Sequence, residues 1–234
     1  ELTARAGVAL EAPDPLRVAD RVTTPDASVA LDLLGGHRLR LRRGSELLLT
    51  APDVVELVRG EVYVEAAPDP LRVEAAGVVV EHIGTRYAVR LRDGEGPDVR
   101  VREGRVRVEA GGAVATAGRG ESIRRSVDGT LVKGPSPTHG DAWCWVPGAA
   151  PFDTDGVTLA AFLEWAAAEG GWRLEVDPAL LTDADGGPAD IAGSVAGLSL
   201  EAALDTVLES AGLRRELDGD RLRVLPIDAR PSSP

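Results

Sequence analysis

VELVRGEVYVEA (residues 55–66) and VRVREGRVRVEA (residues 99–110) decide how the first half of this chain is built. They match at an offset of 44, so that Val55, Leu57, Gly60, Val62, Val64, Glu65 and Ala66 fall on Val99, Val101, Gly104, Val106, Val108, Glu109 and Ala110. Apolar and polar residues alternate on both sides of the shared glycine, which is the period of a half-buried strand. Each copy predicts two strands joined by a tight turn, at Arg59-Gly60 and at Glu103-Gly104, with glycine supplying the positive φ of a short hairpin. HRLRLR (37–42) alternates in the same way, with Leu39 and Leu41 on one face and Arg38, Arg40 and Arg42 on the other. Glycines continue at turn-like spacing from Gly35 to Gly129. The expectation is a mainly β domain over 21–132, either a sandwich-like stack of antiparallel strands or a short β-solenoid, preceded by an extension at 1–20.

Beyond residue 150 the period changes. VTLAAFLEWAAAEGGWRLEV (157–176) and LSLEAALDTVLESAGLRREL (198–217) superpose without a gap at an offset of 41. Thr158 and Ser199 are placed as helix N-caps, and Gly171 and Gly212 lie just past the two helix ends. Each helix leads into a short strand, and RLRVLP (221–226) pairs with the second across Asp218-Gly219-Asp220. This predicts a small α+β domain over 150–226 built from a duplicated βαβ unit, with Trp165 inside it. KGPSPTHGD marks a linker, placed at 133–149, and the Pro/Ser-rich residues 227–234 form a disordered tail.

Composition narrows the function. Residues 1–140 carry 21 acidic and 20 basic groups, whereas 141–234 carry 17 and 6, for a net charge of -12 overall. Such a balance opposes nucleic acid and anionic lipid. A single cysteine, Cys144, and three scattered histidines give no metal-ligand spacing. No run of 18 apolar residues is present, and the first residue is Glu1 rather than Met, so a soluble piece of a longer gene product is expected.

The search for catalytic constellations returns little. Gly118-Arg119-Gly120 lacks the third glycine of a dinucleotide loop, and the only lysine, Lys133, is followed by Gly134 and Pro135 rather than by a Walker-type hydroxyl. DADGG (183–187) begins like a calcium loop, but its twelfth position is Ser194 instead of an acid, which makes it a polar turn. Ser194 also lacks a nucleophile elbow. Asp153 and Asp155 read as solvated loop charges, and His37 and His82 as surface or satisfied polar positions. No catalytic, cofactor or metal residue is assigned.

Two features admit a binding reading. Trp143 and Trp145 share one face at strand spacing, and with Trp172 they either seal a core or dock a partner or sugar ring. The arginine-rich faces, Arg38, Arg40, Arg42, Arg100, Arg102, Arg105 and Arg107, read as the solvent side of strands. A stripe facing anions is the alternative, opposed by the glutamates interleaved with it. The strand from Arg221 to Leu225, with Arg221 and Arg223, is expected to offer a sheet edge that a partner strand could extend.

In that order, HRLRLRRGSELLL (37–49), VELVRGEVYVEA (55–66), EHIGTRYAVRL (81–91), VREGRVRVEAGG (101–112) and TAGRGESI (116–123) resemble the successive blocks of the iron-dicitrate sensor (FecR) family. Gly60, Gly84-Thr85 with Tyr87 and Val89, Gly104 and Gly118 carry the resemblance, and the spacing departs from the family pattern by one insertion at Arg119-Gly120. Residues 150–226 look like the short STN domain found at the N-termini of secretins and TonB-linked receptors. The resemblance implies a non-enzymatic periplasmic sensor region of a membrane-anchored regulator. Its partner would be the signalling domain of an outer-membrane TonB-dependent receptor or another envelope protein, and the output would be control of an alternative sigma factor by the parent protein. Two rival expectations come from other classes: a cell-wall or glycan binder that stacks sugars on its tryptophans, and an envelope structural protein that self-assembles.

Overall fold

The computed structural model describes residues 2–3, 17–33, 35–149, 152, 154, 156–183, 185–191 and 194–227. Asp153, Asp155, most of the 1–20 extension and nearly all of the 227–234 tail lie outside the described residues. The chain divides into two compact units, Glu1–Ala150 and Pro151–Pro234.

The first unit is almost entirely strand. Its elements are β1 (Leu2–Thr3), β2 (Arg21–Thr23), β3 (Val29–Asp32), β4 (Arg38–Leu41), β5 (Glu46–Ala51), β6 (Val54–Glu65), β7 (Arg72–Ala75), β8 (Val78–Leu91), β9 (Asp98–Ala110), β10 (Ala113–Gly118), β11 (Glu121–Arg125) and β12 (Leu131–Pro135). All twelve belong to one hydrogen-bonded system. It is mixed rather than purely antiparallel, because β1 pairs with β2, and β6 with β7, in parallel.

The predicted turns at Gly60 and Gly104 are absent. Both glycines lie inside single long strands, β6 and β9, at φ of +89° and +74°. What changes at each glycine is the strand's neighbour. The first half of β6 pairs with β5 and β7, and its second half with β4 and β8. β8, the third long strand, carries Gly84 and exchanges β7 for β6 at that point, while β9 pairs with β11 before Gly104 and with β10 after it. Two ladders result, sharing β6, β8 and β9, as when strands pass from one layer of a sandwich to the other at a bulge. Among the described residues no closed solenoid is seen.

The inward-facing phase shifts at the same three points: Val55 and Leu57 give way to Val62 and Val64, Val78 and Val80 to Tyr87 and Val89, and Val99 and Val101 to Val106 and Val108. All twelve side chains belong to one core shared by both ladders, together with Leu39, Leu41, Leu47 and Ile123.

Only glycine fits at the corners in β6 and β9. A Cβ on Gly60 would stand 2.5 Å from Ser45 Cα, and one on Gly104 would stand 2.1 Å from the Gly84 carbonyl oxygen. In both copies a neighbouring hydroxyl bonds the backbone beside the corner. Ser45 Oγ donates to the Glu61 carbonyl (3.1 Å) and accepts from the Glu61 N–H (2.9 Å). Thr85 Oγ1 donates to the Arg105 carbonyl (2.6 Å) and accepts from the N–H groups of Arg105 and Ile83 (3.2 Å each).

The span read as a linker, 133–149, is part of this unit. β12 pairs with β11 from Leu131 to Pro135, and the chain then lies across the outer face of β4, β6, β8 and β9. Trp143 and Val146 are buried there against Tyr63 and Ala88. Sequence patterning marked this stretch only by its glycines and prolines, which punctuate a covering segment as readily as a linker.

The second unit contains α1 (Leu159–Gly170), β13 (Arg173–Val176), α2 (Leu200–Ser210), β14 (Leu213–Asp218) and β15 (Arg221–Pro226). Thr158 and Ser199 cap the helices, each hydroxyl accepting from the backbone N–H three residues on, Ala161 and Ala202 (3.2 Å each). Gly171 takes the left-handed conformation past α1, at φ +74°. The repeated element is a helix followed by a strand, and among the described residues no strand precedes α1. The sheet order is β13-β15-β14, with β13 parallel and β14 antiparallel to β15. Phe162, Leu163, Leu204, Val207, Leu222 and Val224 form its core, against which Trp165 is partly buried, stacked on Phe152 at 4.3 Å.

Candidate partner-binding surface

Three of the expected binding residues are engaged within the chain, Trp143 in the core and Arg221 and Arg223 in surface ion pairs. Trp143 is 1% exposed, its indole N–H donating to the Pro137 carbonyl at 2.8 Å. Its ring lies under the guanidinium groups of Arg102 (4.7 Å) and Arg100 (5.0 Å) and edge-on to Tyr63 at 6.0 Å. Arg221 and Arg223 both pair with Glu175 (2.9 and 3.0 Å), and their strand, β15, is central instead of an edge. The edges of that sheet are β13 and β14. Trp145 is half-buried beside Trp143, and Trp172 is partly buried against the second core. The glycan reading therefore loses Trp143 as a stacking platform.

The arginine faces are corrected in part: Arg38 and Arg105 are exposed and Arg42 and Arg107 partly so, but three others are not. Arg40, Arg100 and Arg102 are 4%, 6% and 2% exposed, beneath the segment that carries Trp143. Arg40 pairs with Glu65 at 2.7 Å and donates to the Val146 carbonyl at 3.1 Å; Arg100 pairs with the buried Glu61; Arg102 Nε donates to the Thr138 carbonyl at 2.8 Å. Alternation located this face but could not say that a later segment covers it. Guanidinium groups can be buried here because carboxylates, carbonyls and aromatic faces meet them.

The open surface lies on the other side of the Gly84 corner. Ile83 is 66% exposed, and two clefts meet at Gly84. One, of about 400 Å³, is lined by Gly36, Arg38, Glu65, Thr85, Arg86 and Glu103, among others. The second, of about 390 Å³, has Asp53, Leu71, Arg72, Glu81, His82 and Ile83 in its lining. The loop between β6 and β7 contributes Ala66 and Ala67 to the first and Pro68, Pro70 and Leu71 to the second. An apolar knob with cationic and anionic groups on both sides suits a protein partner, since interfaces place an apolar contact inside a polar rim.

Two histidines hold this loop from below. The Ala67 N–H donates to His37 Nδ1 and the Leu71 N–H to His82 Nε2, both at 3.1 Å, and the rings stand edge to face at 5.6 Å. Burial lowers the pKa of each below the ordinary histidine value. The Asp69 carboxylate and the Pro70 carbonyl oppose this at His37, while the charge His37 would carry reinforces it at His82. Neither ring is a surface group: each accepts from the loop, as a satisfied polar position would, but the other nitrogen of His82, Nδ1, is buried without a partner.

Of the motif residues, Thr85 is 3% exposed, and Tyr87 is fully buried with its hydroxyl unpartnered. Burial pushes the Tyr87 hydroxyl well above the usual tyrosine value. Gly118 ends β10, its N–H donating to the Glu121 carboxylate at 2.7 Å. Glycine followed by a small hydroxyl, Gly44-Ser45 and Gly84-Thr85, was the available sequence signal for the corners. Ile83, one residue before such a pair, carried none. Asp183 accepts from the backbone of Asp185 (3.0 Å) and Gly187 (2.8 Å) in a polar turn. Among the described residues no three His, Cys, Asp or Glu side chains are grouped to hold a metal ion, and no helix is long and apolar enough to cross a membrane.

Residues 20–107 match the family model described as FecR protein. The matched span runs from β2 to within β9 and contains all three corners, both histidines and Ile83. Two crystal structures from Parabacteroides distasonis ATCC 8503, at 1.65 and 2.50 Å resolution, each described as a "putative anti-sigma factor", are similar to the chain. They share 19% and 20% identity, with TM-scores of 0.46 and 0.47, covering 89% and 90% of this chain and 100% of theirs. No curated protein matches. The FecR match over residues 20–107 supports a signal-regulator role in general.

Proposed function

We propose that this chain is the periplasmic, non-enzymatic signal-relay region of a membrane-anchored FecR-like regulator. It receives a signal from the signalling domain of an outer-membrane TonB-dependent receptor and passes it to a parent protein that controls an alternative sigma factor. The observation that carries this reading is the FecR match over residues 20–107. The surface that would meet the receptor domain is the Ile83–Gly84 junction between the two clefts, and the STN-like second unit contributes further contacts. Because residues 141–234 hold 17 acidic and 6 basic groups, a basic partner is favoured and association weakens with salt.

The test is titration calorimetry of the full chain with purified signalling domains of TonB-dependent receptors from the same genome. One of them binds, and Ile83→Glu weakens that binding at least about tenfold, the loss expected of a central apolar contact. Failure of every such domain to bind overturns the reading. Binding that is indifferent to Ile83→Glu moves the interface elsewhere and overturns the site.

A further inference from the structure

His37 and His82 are arranged as hydrogen-bond acceptors, an unusual use for two neighbouring rings. Because His37 Nδ1 accepts from Ala67, its proton lies on Nε2; because His82 Nε2 accepts from Leu71, its proton lies on Nδ1. The second of those protons is buried and has no acceptor. A protonated imidazole has no lone pair to offer, so protonating either ring abolishes the bond it accepts from the loop, against which the Pro70 carbonyl at His37 and the Asp69 backbone at His82 favour the charged form. Protonating both places two cations at the 5.6 Å ring separation, where repulsion in a partly buried site exceeds its value in water.

We propose that His37 and His82 form a proton-operated latch on the loop between Glu65 and Arg72, closed when both rings are neutral and released when they are protonated, so that mild acid remodels the two clefts around Ile83. The device rests on the reading of those clefts as the receptor-binding surface, and it would make that binding depend on periplasmic pH.

The surrounding charges define how it acts. Asp69, on the loop itself, is the carboxylate that favours protonation of His37. Asp53, Arg72 and Glu81 line the cleft that includes His82, and Arg72 is paired with Glu81 at 3.2 Å. Glu81 is paired again with Arg107 at 3.2 Å, which leaves it little net field. Arg38, Glu65, Arg86 and Glu103 line the other cleft, where Arg86 faces Glu103 at 3.7 Å. No excess of one sign masks the imidazoles.

The sign follows from the lowered pKa values. An unfolded or released loop leaves each ring near the ordinary histidine value of 6.5, so the closed state binds fewer protons than the open one in the range just below it. The latch is fully closed above that value and opens as pH falls through the depressed ones. The two rings interact, and they titrate as a pair with two apparent steps.

The test uses the full chain in amide hydrogen exchange and in histidine ¹⁵N spectra between about pH 7.5 and pH 5, the range in which imidazole titrates. At the upper end the spectra show the Nε2–H tautomer for His37 and the Nδ1–H tautomer for His82. Protection of the Ala67 and Leu71 amides, corrected for intrinsic exchange, falls at least about tenfold on acidification, as expected for a lost hydrogen bond with added charge repulsion. Amides in β6 and β8 stay protected. The variant His37→Asn/His82→Gln, whose amide oxygens still accept but do not titrate, removes the step. If that variant does not fold, the wild-type exchange profile and tautomers decide alone. Opposite tautomers, unchanged protection at Ala67 and Leu71, or loss of protection throughout the first unit at once would each overturn the latch. Receptor-domain binding that fails while the loop still opens would overturn the function and leave the latch standing.

Discussion

Replacing Trp143 by alanine tests whether the segment after β12 is a lid on the outer face of the sheet or a passive connection. The indole is 1% exposed, and it supports two guanidinium groups at 4.7 and 5.0 Å, one edge-to-face ring contact and one hydrogen bond to the Pro137 carbonyl. Removing a buried aromatic of this size costs about 3–5 kcal/mol. At about 2–4 °C per kcal/mol for a domain near 150 residues, the melting transition of the first unit falls by roughly 6–20 °C. Trp143→Phe keeps a ring under Arg100 and Arg102 but gives up the Pro137 bond, and it loses about 1–2 kcal/mol. Scanning calorimetry supplies both values. A double-mutant cycle with Arg102→Met isolates the ring–cation coupling, expected at about 0.5–2 kcal/mol for a desolvated pair. A Trp143→Ala protein that melts within about 2 °C of the parent would refute the reasoning, because no fully enclosed indole can be removed that cheaply.

Tyr87→Phe raises the stability of the first unit by about 1 kcal/mol, since it deletes a buried hydroxyl without a partner, and urea titration would show it as a higher midpoint at unchanged slope. A lower midpoint would mean that the hydroxyl is satisfied. Thr85→Ala lowers stability by about 1–3 kcal/mol because the Arg105 backbone loses both its partners, whereas Thr85→Ser restores most of it. Equal losses in the two variants would assign the effect to the methyl group. Gly104→Ala destabilises more than Gly112→Ala in the same assay. Both have positive φ, +74° and +84°, so each meets the same backbone penalty of about 1–2 kcal/mol. Only the Gly104 Cβ also meets backbone, the Gly84 oxygen at 2.1 Å, while the Gly112 Cβ meets nothing within 4 Å. Equal costs would remove the close approach from the account.

The parts of this fold that depend on local periodicity were legible in the sequence. Alternation placed the strands, Thr158 and Ser199 marked the helix starts, and Gly171 marked an end, because each of these reports on its own few residues. The hairpins assigned to Gly60 and Gly104 failed for a physical reason. A two-strand hairpin and one long strand that shifts phase at a glycine have the same alternation on either side, and they differ only in which strands lie alongside. What separates them is the partner hydroxyl, Ser45 or Thr85, that bonds the backbone beside the corner. The same distinction governs the surface. A single strand's pattern gives two faces but cannot say which of them a distant segment covers, so Arg40, Arg100 and Arg102 read as solvated although residues 136–146 bury them.

The covering segment has a consequence for function. It covers the outer face of β4, β6, β8 and β9 with cation–aromatic contacts and carbonyl bonds. The proposed binding surface is elsewhere on these strands, where β8 turns its corner at Gly84 and Ile83 is exposed. The corner lets one strand serve both ladders, and Ile83 stands exposed immediately before it. If the receptor domain docks there, substitutions that restore a regular β8, such as Gly84→Val, should weaken binding more than they lower the melting temperature. Binding lost only in proportion to stability would reduce Gly84 to an element of folding.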